Sequence, residues 1–338
     1  MRSEGRFLLG RADMVRTLLQ DLAQQNHRSA ADEPDTRPLK FQQTIPRSLV
    51  HRAAVSEVFV TDMNILGPDR FEVGAQWPRR HTFFGPRTQA SHDPMLYAET
   101  CRQAGLLIAH RAYGIPLGHN FLLDHKTYSV DAGGLATVGR PVDVTMRVSA
   151  HEVKYRSKDV AGMRLDFECF RDSHRIGTMS ERWRCVSSSV YRRVRGDHFA
   201  ATPFQAKVLP TVDPALVGRE RPEDVLVART DAPGTWSLQF DPDHAVLFDH
   251  GVDHVPGMVL VEGARQAALL TADDPYALPV HTDFRFLKYV EFDQECLLHA
   301  VEEPSAEADT RVVRVTLEQN GATAALGTLA MRSSCQAT

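Results

Sequence analysis

The run GMVLVEGARQAALLTA, Gly257 to Ala272, decides how the rest of the chain is read. It is apolar nearly all round, is built of helix-forming residues, and follows a Pro-Gly turn at Pro256 and Gly257. A helix of that composition is buried on most sides. Glu262, Arg265 and Gln266 nevertheless interrupt it, and spacings of three and four put them on one face. Buried charge is costly unless it is paired or used. The window is therefore either a core helix with a satisfied ion pair or a core helix that lines a reaction chamber.

The pattern occurs earlier too, in Pro94 to His110, PMLYAETCRQAGLLIAH. Met95, Glu99, Arg102 and Gln103 stand 163 residues before Met258, Glu262, Arg265 and Gln266. Two such helices argue for a duplicated unit. The flanking segments agree. Before the first helix, Val55 to Asn64 and Phe71 to Trp77 read as strands, separated by a turn over Asp62 to Arg70. After it come strand-like runs at Asn120 to Val130, Val142 to Tyr155, Met163 to Arg171 and Ile176 to Val186. Around the second helix the order repeats, with Asp224 to Arg229 and Trp236 to Phe240 before it. His281 to Leu287, Val290 to Val301, Thr310 to Glu318 and Ala322 to Met331 follow it. Val142, Val144, Met146 and Val148 alternate with polar residues, the mark of an antiparallel sheet with one covered face.

The expected organisation is an N-terminal helix and linker over 1–44, a first repeat over 45–190, a connecting segment over 191–220 and a second repeat over 221–335. A tandem of this kind mimics a two-fold homodimer, and dimerisation of the whole chain is compatible with it.

The chain has 338 residues, 43% hydrophobic and 24% charged, with a formal net charge of -4. That balance argues against a nucleic-acid or membrane-surface partner. Five scattered cysteines, Cys101, Cys169, Cys185, Cys296 and Cys335, form no zinc or disulfide framework. Among the fifteen histidines, H-G-V-D-H is not a metal spacing, and nothing in the residues asks for a cofactor. No bilayer-spanning run or signal peptide is evident, so the expected location is the cytoplasm.

The run DHGVDHVPGMVLVEGARQAA resembles the active-site segment of hotdog-fold enzymes, most closely the β-hydroxyacyl-carrier-protein dehydratases. That resemblance makes His250 the loop histidine and Glu262 the helix acid. It departs in a shorter loop and in Arg265. A closer resemblance is to the A-factor biosynthesis family, which carries two such repeats. It rests on SLVHRAAVSEVFVTD, Ser48 to Asp62, and on HDPMLYAETCRQ, His92 to Gln103, together with the duplication. It implies an α+β double hotdog, each repeat a long central helix wrapped by a curved antiparallel sheet. It further implies a β-ketoacyl transfer from acyl carrier protein to dihydroxyacetone phosphate, giving an ester that closes to a butenolide phosphate. The alternative is a dehydratase or thioesterase acting on acyl carrier protein or coenzyme A thioesters. An acyl-binding module without catalysis is a third reading.

Transfer to an alcohol needs a base, donors for an oxyanion and a positive site for phosphate. Glu262, Glu99, Arg265 and His250 are the catalytic candidates, with burial raising the glutamate pKa and arginine lowering it. Arg102, Gln103, Gln266, His254 and Gly257 are the substrate-binding candidates. Helix N-termini at Met95 and Met258 offer free N–H groups. Pro94 gives up a donor where the second repeat has Gly257, so the two sites are not expected to be equivalent. Leu106, Leu107, Leu269 and Leu270 are expected to set the depth of the acyl pocket.

Overall fold

The computed structural model describes residues 34–85 and 91–333. The amphipathic helix expected before Arg28, and Cys335, lie outside them. Among the described residues, twelve strands form one sheet around two long helices. The first half contributes β1 (Val60–Gly67), β2 (Arg70–Trp77), α1 (Pro94–Arg111), β3 (Asn120–Val130), β4 (Val142–Arg156), β5 (Asp159–Arg171) and β6 (His174–Val186). A short helix, α2 (Ser188–Arg195), opens the connection. The second half contributes β7 (Val227–Arg229), β8 (Thr235–Leu238), α3 (Gly257–Ala272), β9 (Leu278–Phe286), β10 (Cys296–Glu303), β11 (Thr310–Gln319) and β12 (Ala322–Arg332).

The sheet order is β1-β2-β4-β5-β6-β3-β9-β12-β11-β10-β8-β7, a palindrome about the β3–β9 seam. Every pairing is antiparallel, and the seam pairs Thr127 with Asp283. This is the expected α+β double hotdog. Both helices are apolar on nearly every face because each lies inside a curled half-sheet, a stable two-layer solution. Glu99, Gln103, Glu262 and Gln266 are buried with the leucines.

Several bounds differ from the sequence reading for physical reasons. Val55–Glu57 is a 3-10 turn, and β1 starts at Val60, because the flanking backbone bonds to a side chain. The Gln103 amide donates to Glu57 O at 2.7 Å and accepts from Phe59 N at 2.9 Å. The same clamp recurs as Gln266 to Asp224 O and Leu226 N, so β7 is only three residues long. Residues 290–295 precede β10 as a loop, with Val290 O taken by Val255 N at 2.9 Å. The connection, expected to be irregular, contains α2, which straddles the repeat boundary expected at 190.

Candidate functional site

Each half builds an arginine–glutamate–arginine triad on its long helix. In the first, Glu99 accepts from Arg102 Nε at 2.8 Å and Nη2 at 2.9 Å, from Arg52 Nε at 3.1 Å, and from Gln103 at 2.8 Å. In the second, Glu262 accepts from Arg265 Nε and Nη2 at 2.7 Å, from Arg219 Nε at 3.2 Å, and from Gln266 at 2.7 Å. Arg52 and Arg219 were not among the sequence candidates. Their signal is a second internal repeat, R-A-A-V-S-E-V-F-V from Arg52 and R-E-R-P-E-D-V-L-V from Arg219. The arginines cross between halves: Arg52 donates to Val246 O at 3.1 Å and Arg219 to Phe83 O at 2.6 Å.

The two triads face different surroundings. A cavity of about 950 Å³ opens against the first. Its wall includes Glu99, Arg102, His51, His250, His254 and Gly257. Glu262, Arg265, Gln103 and Gln266 are not part of that wall. Of the catalytic candidates, Glu99 and His250 reach the cavity wall, whereas Glu262 and Arg265 form the satisfied ion pair of a core helix. Arg102 spends Nε and Nη2 on Glu99, its side chain is 22% exposed, and Nη1 has no partner among the described residues. The Arg265 side chain is 1% exposed, and its unpartnered Nη1 is sealed in protein.

Differences at two matching positions seal the second triad. Asp93 caps α1 through Met95 N at 2.8 Å, and its other oxygen lies 3.8 Å from both Arg219 and Arg265. At the matching place before α3 stands Pro256, with no side-chain cap, so the N–H groups of Gly257 and Met258, two residues of the cavity wall, have no partner among the described residues. Phe83 fills the space under Arg219, whose guanidinium lies 4.0 Å from the ring centroid, where the other half has the smaller Val246. Of the four leucines expected in the acyl pocket, only Leu106 reaches the wall. Met95, Leu260, Trp183 and Phe286 do so instead.

Of the two opposing effects expected at the glutamates, the arginines prevail. Burial alone would raise the Glu262 carboxyl, but the Arg219 and Arg265 guanidiniums outweigh it and hold it down at about 2. Burial is likewise outweighed at Glu99, where Arg102 and Arg52 keep the carboxyl well below the usual carboxylate range. A carboxylate surrounded by guanidinium and amide donors is a poor proton acceptor. The other candidate bases of the cavity wall are imidazoles. His250 is depressed by burial and by Arg102, and lies 3.6 Å from Asp249. Asp249 itself fixes the loop by accepting from Ala53 N at 2.7 Å and Ala54 N at 2.9 Å. His254 is held by Asp253 at 2.8 Å and stacks edgewise on Tyr289. Arg195 of α2 pins this rim through Asp253 and Glu291. His81 does not correspond to His250. Its counterpart is His244: both accept two backbone N–H groups at Nδ1 and meet an acid at Nε2.

His51 is a third residue that was not among the sequence candidates. It ends a 3-10 turn, Arg47–Val50, in the left-handed region at φ 52°. The equivalent turn, Pro214–Val217, ends in Gly218 at φ 58°. A side chain at that backbone conformation costs roughly 1–2 kcal/mol. The His51 ring lines the cavity and bonds His110, Nε2 to Nε2, at 2.9 Å.

Among the described residues no group of three or more His, Cys, Asp or Glu is placed to hold a metal, and no helix is long and apolar enough to cross a membrane. Burial pushes the Cys101 thiol up, so it is a core residue and not a nucleophile.

Comparison with known proteins agrees with this architecture. The chain is similar to a 2-oxo-3-(phosphooxy)propyl 3-oxoalkanoate synthase of Streptomyces virginiae, 40% identical over 83% of this chain and 95% of that protein. The synthase of the same name from Streptomyces coelicolor is 37% identical over 84% and 90%. Among solved structures, the 12:0-ACP thioesterase from Umbellularia californica shares the fold, with a TM-score of 0.51 at 11% identity over 78% and 98%. The A-factor biosynthesis hotdog domain matches residues 34–187 and 200–335. With a repeat of that domain in each half and synthases as its relatives, the chain belongs to the A-factor biosynthesis hotdog family.

Proposed function

We propose that the protein is an acyltransferase that joins a 3-oxoacyl group to the hydroxyl of dihydroxyacetone phosphate. The product is the 2-oxo-3-(phosphooxy)propyl 3-oxoalkanoate for which its relatives are named. Acyl carrier protein is the proposed thioester donor. The observation that carries the reading is the pairing, in one cavity, of a guanidinium with a free edge and a bare helix N-terminus. Arg102 binds the phosphate through Nη1. The first N–H groups of α3, beginning at Gly257, receive the thioester oxygen as it gains negative charge. Glu99 keeps Arg102 charged and in place. An imidazole of the cavity wall takes the hydroxyl proton and returns it to the departing thiolate, so that alcohol and thioester become ester and thiol. His250 and His254 stand at the rim, where phosphate and pantetheine enter. Glu262, Arg265 and Gln266 serve the fold.

The test is to incubate purified protein with a 3-oxoacyl carrier protein and dihydroxyacetone phosphate. Formation of the phosphorylated ester supports the reading. Release of free acid at the same rate with and without the acceptor would replace it with a thioesterase.

A further inference from the structure

Hydrogen-bond directions around His51 fix the tautomer of one imidazole of the cavity wall. Ile115 O can only accept, so the 2.6 Å contact from His110 Nδ1 means that this nitrogen carries a hydrogen. Burial depresses the pKa of His110, which is therefore neutral, and its Nε2 must be a bare lone pair. The 2.9 Å contact between the two Nε2 atoms then requires His51 to donate. His51 is also neutral, held down at about 3 by burial, by His110, by Arg102 and by His250. Its Nδ1 is left as a bare acceptor, with no partner among the described residues, on a ring that lines the cavity. The chain Ile115 C=O, His110, His51 thus fixes one tautomer through two successive bonds.

The backbone gives a second, independent observation. The turn before Arg52 and the turn before Arg219 close alike, Arg52 N to Arg47 O at 3.1 Å and Arg219 N to Pro214 O at 2.8 Å. The sealed half uses glycine at the left-handed position, and the open half forces histidine into it. Strain of this kind marks functional positions when the side chain meets a site.

Resting on the acyl-transfer reading, we propose that His51 Nδ1 is the atom that accepts the proton of the acceptor alcohol. The hydroxyl proton moves to Nδ1 as oxygen attacks the thioester carbon. The carbon–sulfur bond then breaks, and the same proton passes to the thiolate. Arg102 is one cause of the low basicity of His51, and a bound phosphate dianion offsets that charge. Phosphate on the acceptor therefore makes His51 a better base as well as adding affinity. His250, whose Nδ1 faces Asp249, is left to contact the phosphate from the rim.

The experiment compares wild type, His51→Gly, His51→Asn and His250→Asn. It uses a 3-oxoacyl carrier protein with dihydroxyacetone phosphate, or with unphosphorylated dihydroxyacetone, and follows melting of each variant. Glycine and asparagine both tolerate the left-handed backbone, so neither substitution adds strain at that turn. The expected result is a loss of about 10²–10⁴ in kcat for both His51 variants. Binding of the acyl donor is retained, and the loss is smaller with His250→Asn. Wild type is expected to lose kcat as well as affinity when the acceptor lacks its phosphate. A folded His51→Gly with near wild-type kcat, or a larger loss in His250→Asn, overturns the assignment. Absence of ester formation by wild type itself would instead remove the acyl-transfer reading.

Discussion

The two halves of the protein start from the same parts and end with different electrostatics. Each has an arginine from a left-handed turn, a glutamate and arginine three residues apart on a buried helix, and a glutamine that clamps the backbone before a strand. In the first half this assembly borders a cavity, and in the second it is walled in. The difference comes from a few side chains at matching positions: Val246 for Phe83, Pro256 for Asp93, Gly257 for Pro94, and His51 for Gly218. Duplication preserved the triad because a buried glutamate between two arginines is hard to dismantle one residue at a time. Site chemistry then diverged around it. A charge pair on a core helix is thus not by itself a sign of catalysis; the surroundings decide.

The comparison can be broken most forcefully on the sealed side. Glu262→Gln leaves Arg219 and Arg265 without their shared carboxylate and should destabilise the fold by about 3–5 kcal/mol, read by chemical denaturation. Activity per folded molecule should be little changed. The same residue governs a pH effect. The Glu262 pKa is lowered from 4.5 to about 2, so its stabilisation is complete above about pH 4.5 and is lost as pH falls toward about 2. Denaturation curves of Glu262→Gln between pH 7 and pH 2.5 should show a shallower acid limb than wild type. An unchanged limb would remove the carboxylate from the account.

On the open side the expected losses are kinetic. Gly257→Pro copies what α1 carries at its own start and deletes one N–H of α3, so kcat should fall about 10²-fold with a modest stability change. The Phe286 ring, 3.2 Å from an added Cβ, must shift slightly to admit it. A smaller effect is expected from Asp249→Ala, which releases Ala53 N and Ala54 N. About 1–3 kcal/mol of stability should go with it, together with order in the His250 loop, measurable by amide exchange.

Much of the fold was legible because duplication and periodicity are local. The α3 helix runs over the span marked by its Pro-Gly start, and α1 covers Pro94 to His110 with one further residue, Arg111. Three of the four strands after α1 exceed their expected spans because hairpins continue past the apolar run, as at Asp159 and His174. The site was legible only in part. Glu99 and Arg102 are separated from Arg52 by some fifty residues of chain, and helix spacing says nothing about a partner on a distant turn. The sign of the glutamate shifts followed from that second arginine, so it could not be read from α1 or α3 alone. Which triad met the cavity depended on Phe83 against Val246, a difference of bulk with no chemical signature.

The most direct measurement is the transfer rate of Arg102→Gln beside Arg265→Gln, each corrected for its folded fraction and taken at saturating thioester. The asymmetry described here requires kcat/KM for the phosphorylated acceptor to fall by about 10²–10³ in Arg102→Gln and to stay within a few-fold of wild type in Arg265→Gln. Equal losses in two folded variants, or the loss falling on Arg265→Gln, would contradict it.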